Sequence, residues 1–287
     1  MMPVGSCSPQ HVHFGPHSAR GRRRFNPSLV LTMTFSVTSP SFLRTAAPLG
    51  LLALSLGFTS SIQASPPGRT SKGGCTPGSS RTLVSPARSY AVDARGLVRI
   101  YRKAGGRPFA RFGALNPNGV PTVFAGVEAV LGARCKAAWY RVLVPVKPNG
   151  STGFVRARSV NLRAVRSRIV IDLSARKLAL YVRGRVAFTT TSAIGAPATP
   201  TPLGSFYVNQ RFRDDPNGPY GWAAIGISAF SEVLTGWPRG GPVAIHGTNR
   251  PSLLGLRVSN GCIRVSNEAI QRIWRLAPAG TPVSIRT

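Results

Sequence analysis

A chain of 287 residues with 37 Lys+Arg against 7 Asp+Glu, a formal net charge of +30, has room for two domains behind a leader, and its 43% hydrophobic content excludes disorder throughout. Such a field draws a protein to polyanions, but the basic residues are scattered, without a stripe or an RRM, KH or zinc-finger pattern, which argues against nucleic acid as the primary partner. The seven carboxylates include one adjacent pair, Asp214-Asp215, and its setting in RDDPNGPYG reads as a turn, so a glycosidase-type acid/base pair is excluded as well.

Residues 1–64 read as a leader. A basic cluster, Arg20 and Arg22-Arg23-Arg24, precedes Arg44 and the apolar run AAPLGLLALSLGF from Ala46 to Phe58, with Ile62-Gln63-Ala64 as a small-residue cleavage site. The run is shorter than the roughly twenty residues that span a bilayer. A signal peptide is therefore expected, with an uncleaved membrane anchor as the alternative and Met33 as an alternative start. The protein is expected in the cell envelope, in the periplasm or cell wall. Residues 65–81, rich in Ser, Gly, Pro and Thr, read as a flexible linker.

From 82 to 165 short β-prone runs are broken by Gly, Pro and Asn. LVRIY (97–101), TVFAGVEAVL (122–131), WYRVLVPV (139–146) and TGFVRARSV (152–160) are candidate strands, and Pro148-Asn149-Gly150-Ser151 is a hairpin turn between two of them. WYRVLVP followed by NGSTGFVRA is similar to bacterial SH3-type modules, so this segment is expected to be a small SH3-like barrel. That resemblance implies wall-peptide binding; a structural spacer with Trp139 and Tyr140 in its core is the alternative.

Residues 166–287 continue in strands: RIVIDLS and KLALYVRG flank Ala175-Arg176, and Val186–Thr191, GSFYV (204–208), WAAIGIS (222–228) and PVAIHG (242–247) follow. A helix is expected after Ser266, a good N-cap, with Glu268 in its first turn and Ile270, Ile273 and Trp274 on one face. Pro278 and Gly280 stop it, and Pro282 to Ile285 returns to the sheet. The fold class expected is mostly β, with one or two helices in the second domain.

The chemistry concentrates in IHGTNRPSLLGLRVSNGCIRV, Ile245 to Val265. It holds His246 and, sixteen positions later, Cys262, each beside a glycine. A thiol attacks as thiolate, and an imidazole can take its proton and stabilise the anion as an ion pair. His11, His13 and His17 lie in the leader, so His246 is the one imidazole expected in the mature chain. Cys7, Cys75, Cys135 and Cys262 show no C-x-x-C spacing, and no zinc set, other metal or cofactor is expected. Cys75 and Cys135 are available to pair as a disulfide, which would leave Cys262 free.

The HG pair, its spacer and Ser259-Asn260-Gly261-Cys262-Ile263-Arg264 resemble the active-site signature of the YkuD-type L,D-transpeptidases. Thr199-Pro200-Thr201-Pro202-Leu203-Gly204-Ser205-Phe206 is similar to the family's TPxGxF segment, and Gly280 to Ile285 to its closing strand. The family most often has a second histidine where this chain has Asn260, which cannot titrate near neutral pH.

The resemblance implies an SH3-like barrel followed by a β-rich L,D-transpeptidase catalytic domain, and acyl transfer on peptidoglycan stem peptides without a cofactor. Cys262 is then the nucleophile, forming a thioester, and His246 the general base and acid. The backbone of Gly261, with that of Cys262, is expected to line an oxyanion hole, so that Gly261→Ala should cost rate more than stability. Gly247 is expected to orient the base and Ser259 to support the loop. Arg264, Asn260, Tyr220 and Trp222 are candidate substrate contacts, Arg264 through a stem carboxylate. The expected protein is a monomer, with anionic wall polymers or the membrane surface as further partners. A carboxypeptidase or endopeptidase that trims stems, or a non-catalytic wall-binding protein, are the alternatives.

Overall fold

The computed structural model describes residues 75–287; the leader and most of the expected linker lie outside the described residues. The first part is a sheet of eight strands: β1 Ser80–Thr82, β2 Ser89–Ala94, β3 Val98–Tyr101, β4 Pro108–Phe112, β5 Val123–Leu131, β6 Ala137–Leu143, β7 Thr152–Arg156 and β8 Val160–Val165. Its order is β4-β3-β7-β6-β5-β2-β8, with β1 added on β5, and every pairing is antiparallel. Val160 of one edge strand and Phe109, Ala110 and Phe112 of the other pack on the same core as Ile100, Phe124 and Val142. The sheet therefore curls around a single apolar centre.

The linker read over 65–81 ends earlier than expected. Cys75 is bonded to Cys135, and Ser80, Arg81 and Thr82 pair with Val130, Ala129 and Glu128. Backbone groups that find ladder partners this way need no water, so a Ser/Gly/Pro-rich composition did not prevent order at its C-terminal end.

The second part contains β9 Ser167–Asp172, β10 Lys177–Val182, β11 Arg185–Thr191, β12 Ile194–Gly195, β13 Gly204–Arg213, β14 Ala223–Phe230, β15 Pro242–His246, β16 Arg257–Ser259, β17 Ile263–Arg264, the helix α1 Asn267–Leu276 and β18 Pro282–Arg286. Eight of these strands form a sheet in the order β11-β10-β9-β18-β13-β14-β15-β17, and β12 pairs with β16 beside it. In β10, Leu178 and Leu180 are buried and Lys177 is exposed, the period of two that a half-covered strand requires. In β14 the stretch from Ile225 to Ala229 is buried throughout, because α1 packs over β14 and β15.

α1 starts where the sequence places it. Ser266 Oγ accepts from Ala269 N–H at 3.1 Å, Glu268 lies in the first turn, and Ala269, Ile270 and Ile273 face the core. Burying the two isoleucines stabilises the packing by roughly 1.5–3 kcal/mol each.

The two parts are stapled together. The Asn149 side chain donates to Phe230 O at 2.8 Å and accepts from Phe230 N–H at 2.9 Å, so the expected hairpin turn also docks on the end of β14. Lys147 Nζ donates to Ser231 O at 3.1 Å, and Ala279 packs on Ala91, Val123 and Val165. Among the described residues no helix is long and apolar enough to cross a membrane.

Candidate active site

The pairing of β15 with β17 brings the histidine and the cysteine together. Their parallel register sets Ile245 beside Ile263 and His246 beside Arg264. Ile245 and Ile263 point into the core, so Ala244, His246, Cys262 and Arg264 share the opposite face. Ala244 N–H points at Cys262 Sγ from 3.4 Å, which fixes Cys262 beside Ala244. Cys262 and His246 are thus diagonal neighbours on one face, a relation that puts Cα atoms roughly 7–8 Å apart and leaves side chains within reach. They are 1% and 2% exposed.

The imidazole is held in one tautomer. His246 Nδ1 lies 2.6 Å from Gly247 O, and a carbonyl only accepts, so Nδ1 carries the proton and Nε2 keeps its lone pair. Burial pushes the His246 pKa down to about 4; hydrogen bonds to the Gly247 and Tyr220 carbonyls oppose that shift, and the charge of Arg264 adds to it. In this state of the site the imidazole is neutral at pH 7. Cys262 carries no titrating thiol in this disulfide-bonded state, so the low value belongs to the oxidised site.

Cys75 and Cys135 are joined, but Cys262 is also disulfide-bonded in this structure. The expectation that Cys262 is left free does not hold here, and nucleophilic chemistry needs the reduced thiol.

The loop before Cys262 is braced from two sides. Ser259 Oγ donates to Cys262 O at 2.5 Å and accepts from Gly261 N–H at 3.2 Å. That bond corrects the expectation for Gly261: its N–H serves Ser259 rather than an incoming oxyanion. Gly261 also sits at φ 105°, a region that side chains rarely enter, so Gly261→Ala is strained and should cost stability as well as rate.

The second brace is the Thr-Pro-Thr-Pro segment, to which sequence reasoning attached no role. Thr199 Oγ1 donates to Ser259 O at 3.0 Å. Thr201 Oγ1 donates to Gly261 O at 3.0 Å while accepting from Gly195 N–H at 2.9 Å. Two prolines alternating with two threonines were the available signal, since proline presets the backbone from which each hydroxyl projects. Thr201→Val keeps the shape but leaves two buried backbone groups unpaired, so a loss of about 2–4 kcal/mol is expected in denaturant unfolding. Unchanged stability would show that Thr201 is not a brace.

The remaining candidates separate. Arg264 is half-buried on the shared face, and its Nε has no hydrogen-bond partner. Burial, then the charge of Arg250, holds its guanidinium below the usual arginine range. Asn260 is half-buried at the turn. The Tyr220 ring stands edge-on to His246 with centroids 5.0 Å apart, so it walls the imidazole. Trp222 is half-buried: its ring meets Trp274 of α1 edge-to-face at 5.8 Å and is covered by Arg213. Asp214-Asp215 forms the turn expected, with Asp215 Oδ1 accepting from Asn217 N–H at 2.9 Å.

The L,D-transpeptidase catalytic domain model of the YkuD family matches residues 166–285. The chain is 33% identical over 154 residues to the L,D-transpeptidase YkuD of Bacillus licheniformis, covering 50% of this chain and 85% of the relative. It is 34% identical over 119 residues to the YkuD of Bacillus subtilis, covering 41% of this chain and 64% of that one. Among solved structures, an Enterococcus faecium L,D-transpeptidase C442S mutant is 26% identical, with 42% of this chain and 49% of that one covered and a TM-score of 0.33. With a cysteine and a tautomer-locked histidine on one face of β15–β17, and a relative matched over most of its length, the chain belongs to the YkuD-type L,D-transpeptidase family.

Proposed function

We propose that the protein cross-links peptidoglycan stem peptides through a thioester on Cys262, outside the cytoplasm, in the periplasm or cell wall. The observation that carries this reading is the His246 Nδ1 contact with Gly247 O, which leaves Nε2 unprotonated on a side chain that shares its face with Cys262. His246 takes the thiol proton as sulfur attacks the amide carbonyl that precedes the terminal D-alanine, then passes it to the leaving amine. An acceptor amine on a second stem releases the acyl group.

The Cys262 N–H, at the turn into β17, is the oxyanion donor in this reading, with Gly261 supplying the backbone shape. Arg264 supports it by presenting a buried Nε on the reactive face, suited to a stem carboxylate. The first sheet is read as the SH3-like module, and its cationic surface as a contact for anionic wall polymers.

Purified protein, reduced and incubated with tetrapeptide stems, should gain the acyl mass on Cys262 and release D-alanine. Dimeric products are expected in the presence of acceptor stems. Trimmed monomers alone would make it a carboxypeptidase, and folded protein without an adduct would make it a binding protein.

A further inference from the structure

Asn267 opens α1, but its side chain takes no part in capping, which Ser266 performs. It reaches instead toward the turn before β14. Its Oδ1 accepts from Trp222 N–H at 3.1 Å and its Nδ2 donates to Pro216 O at 3.2 Å. A Cβ built on Gly221 or on Gly247 would collide with that same Oδ1. Gly221 has φ 61°, so glycine there serves both the turn and the close approach. One amide thus fills the gap between two segments that enclose the imidazole. Residues 216–222 carry Tyr220, whose ring lies against His246, and Gly247 holds Nδ1.

We propose that Asn267 is a positioning residue for His246: its amide clamps the 216–222 turn to the helix start and so keeps the histidine enclosed and aimed. The inference rests on His246 being the base of the reaction proposed above. Asn267 lies outside the HG and SNGC motifs and acts on the base through Tyr220 and Gly247. The charged and titratable groups facing the imidazole are Arg264 from β17 and Tyr220 from the turn, joined by the Cys262 thiol on the same face once the protein is reduced.

The test is Asn267→Ala in the full chain, reduced, compared with Ser266→Ala, which weakens the same helix end without touching the clamp. The imidazole NMR signal of His246, identified by its loss in His246→Gln, should titrate at least one pH unit above the wild-type midpoint in Asn267→Ala, because the opened turn admits water. kcat for stem acylation should fall at least tenfold with KM within threefold. Ser266→Ala should lower Tm while leaving both the midpoint and kcat in place.

An unmoved midpoint and kcat in Asn267→Ala, or equal shifts in Ser266→Ala, would reduce Asn267 to a helix-end residue and overturn the inference. If Asn267→Ala does not fold, Asn267→Ser is read by the same two criteria. Because the titration needs no turnover, an inactive wild type would count against the base assignment while the clamp is still judged by the midpoint.

Discussion

Replacing Cys262 with alanine is expected to abolish stem acylation, with a loss in kcat of about 10⁴ or more, the scale on which removal of a nucleophile acts. The side chain is 1% exposed and small, so the change should cost only about 1 kcal/mol of folding stability through lost burial. Intact-mass analysis of the reduced protein with stems reads the first effect, and denaturant unfolding the second. Cys262→Ser is the sharper variant: it keeps the Ser259 and Thr201 braces, which hold backbone groups of the loop rather than the sulfur. Its hydroxyl needs a far stronger base than a buried imidazole whose pKa is about 4. Turnover by either variant at a tenth of the wild-type rate would remove Cys262 from the reaction.

Acidification should destabilise the protein in a window set by His246. Its pKa is about 4 when folded and close to 6.5 when the chain is unfolded. Between those values the unfolded chain binds the extra proton, so stability rises with pH there. The contribution of the neutral, buried imidazole is complete above pH 6.5 and is lost as pH falls toward 4. At about 1.4 kcal/mol per pH unit this amounts to roughly 3 kcal/mol. A domain of this size then loses on the order of 6–12 °C in Tm across the window.

His246→Gln should flatten that slope. Asp172, whose carboxyl is held low chiefly by the Ala175 N–H and then by Ser174 Oγ, loses its contribution only below its ordinary pKa of 3.8 and does not overlap the window. A reduced wild-type protein whose Tm is the same at pH 7 and pH 4.5 would mean that water reaches the imidazole and that the enclosure by Tyr220 and Gly247 opens freely.

Much of the architecture was legible in the amino-acid order because it rests on local rules. The strands LVRIY, KLALYVRG and PVAIHG follow from β-branched and aromatic alternation between Gly, Pro and Asn breaks, and α1 from a serine cap ahead of an apolar face. SYAVDA, now β2, and PFARF, now β4, did not stand out. Both are short, and PFARF opens with proline on an edge strand, where the missing N–H is harmless.

His246 and Cys262 could be singled out as candidate reactants from residue type, scarcity and motif. Their placement on one face could not: fifteen residues, strand β16 among them, separate them, and the adjacency arises from the parallel register of β15 on β17, a pairing between strands with no local signature. The same limit hid Thr199, Thr201 and Asn267. Each acts by a hydrogen bond to a segment 45 to 60 residues away in the chain, and a hydroxyl or amide looks the same in sequence whether it faces water or a buried carbonyl.

Residue chemistry and short-range pattern thus specified the strands, the helix cap and the candidate pair. Which backbone groups brace the nucleophile, which wall encloses the imidazole, and the neutral state that this enclosure imposes came from packing. Desolvation and long-range hydrogen bonds exist only once distant segments have closed on one another.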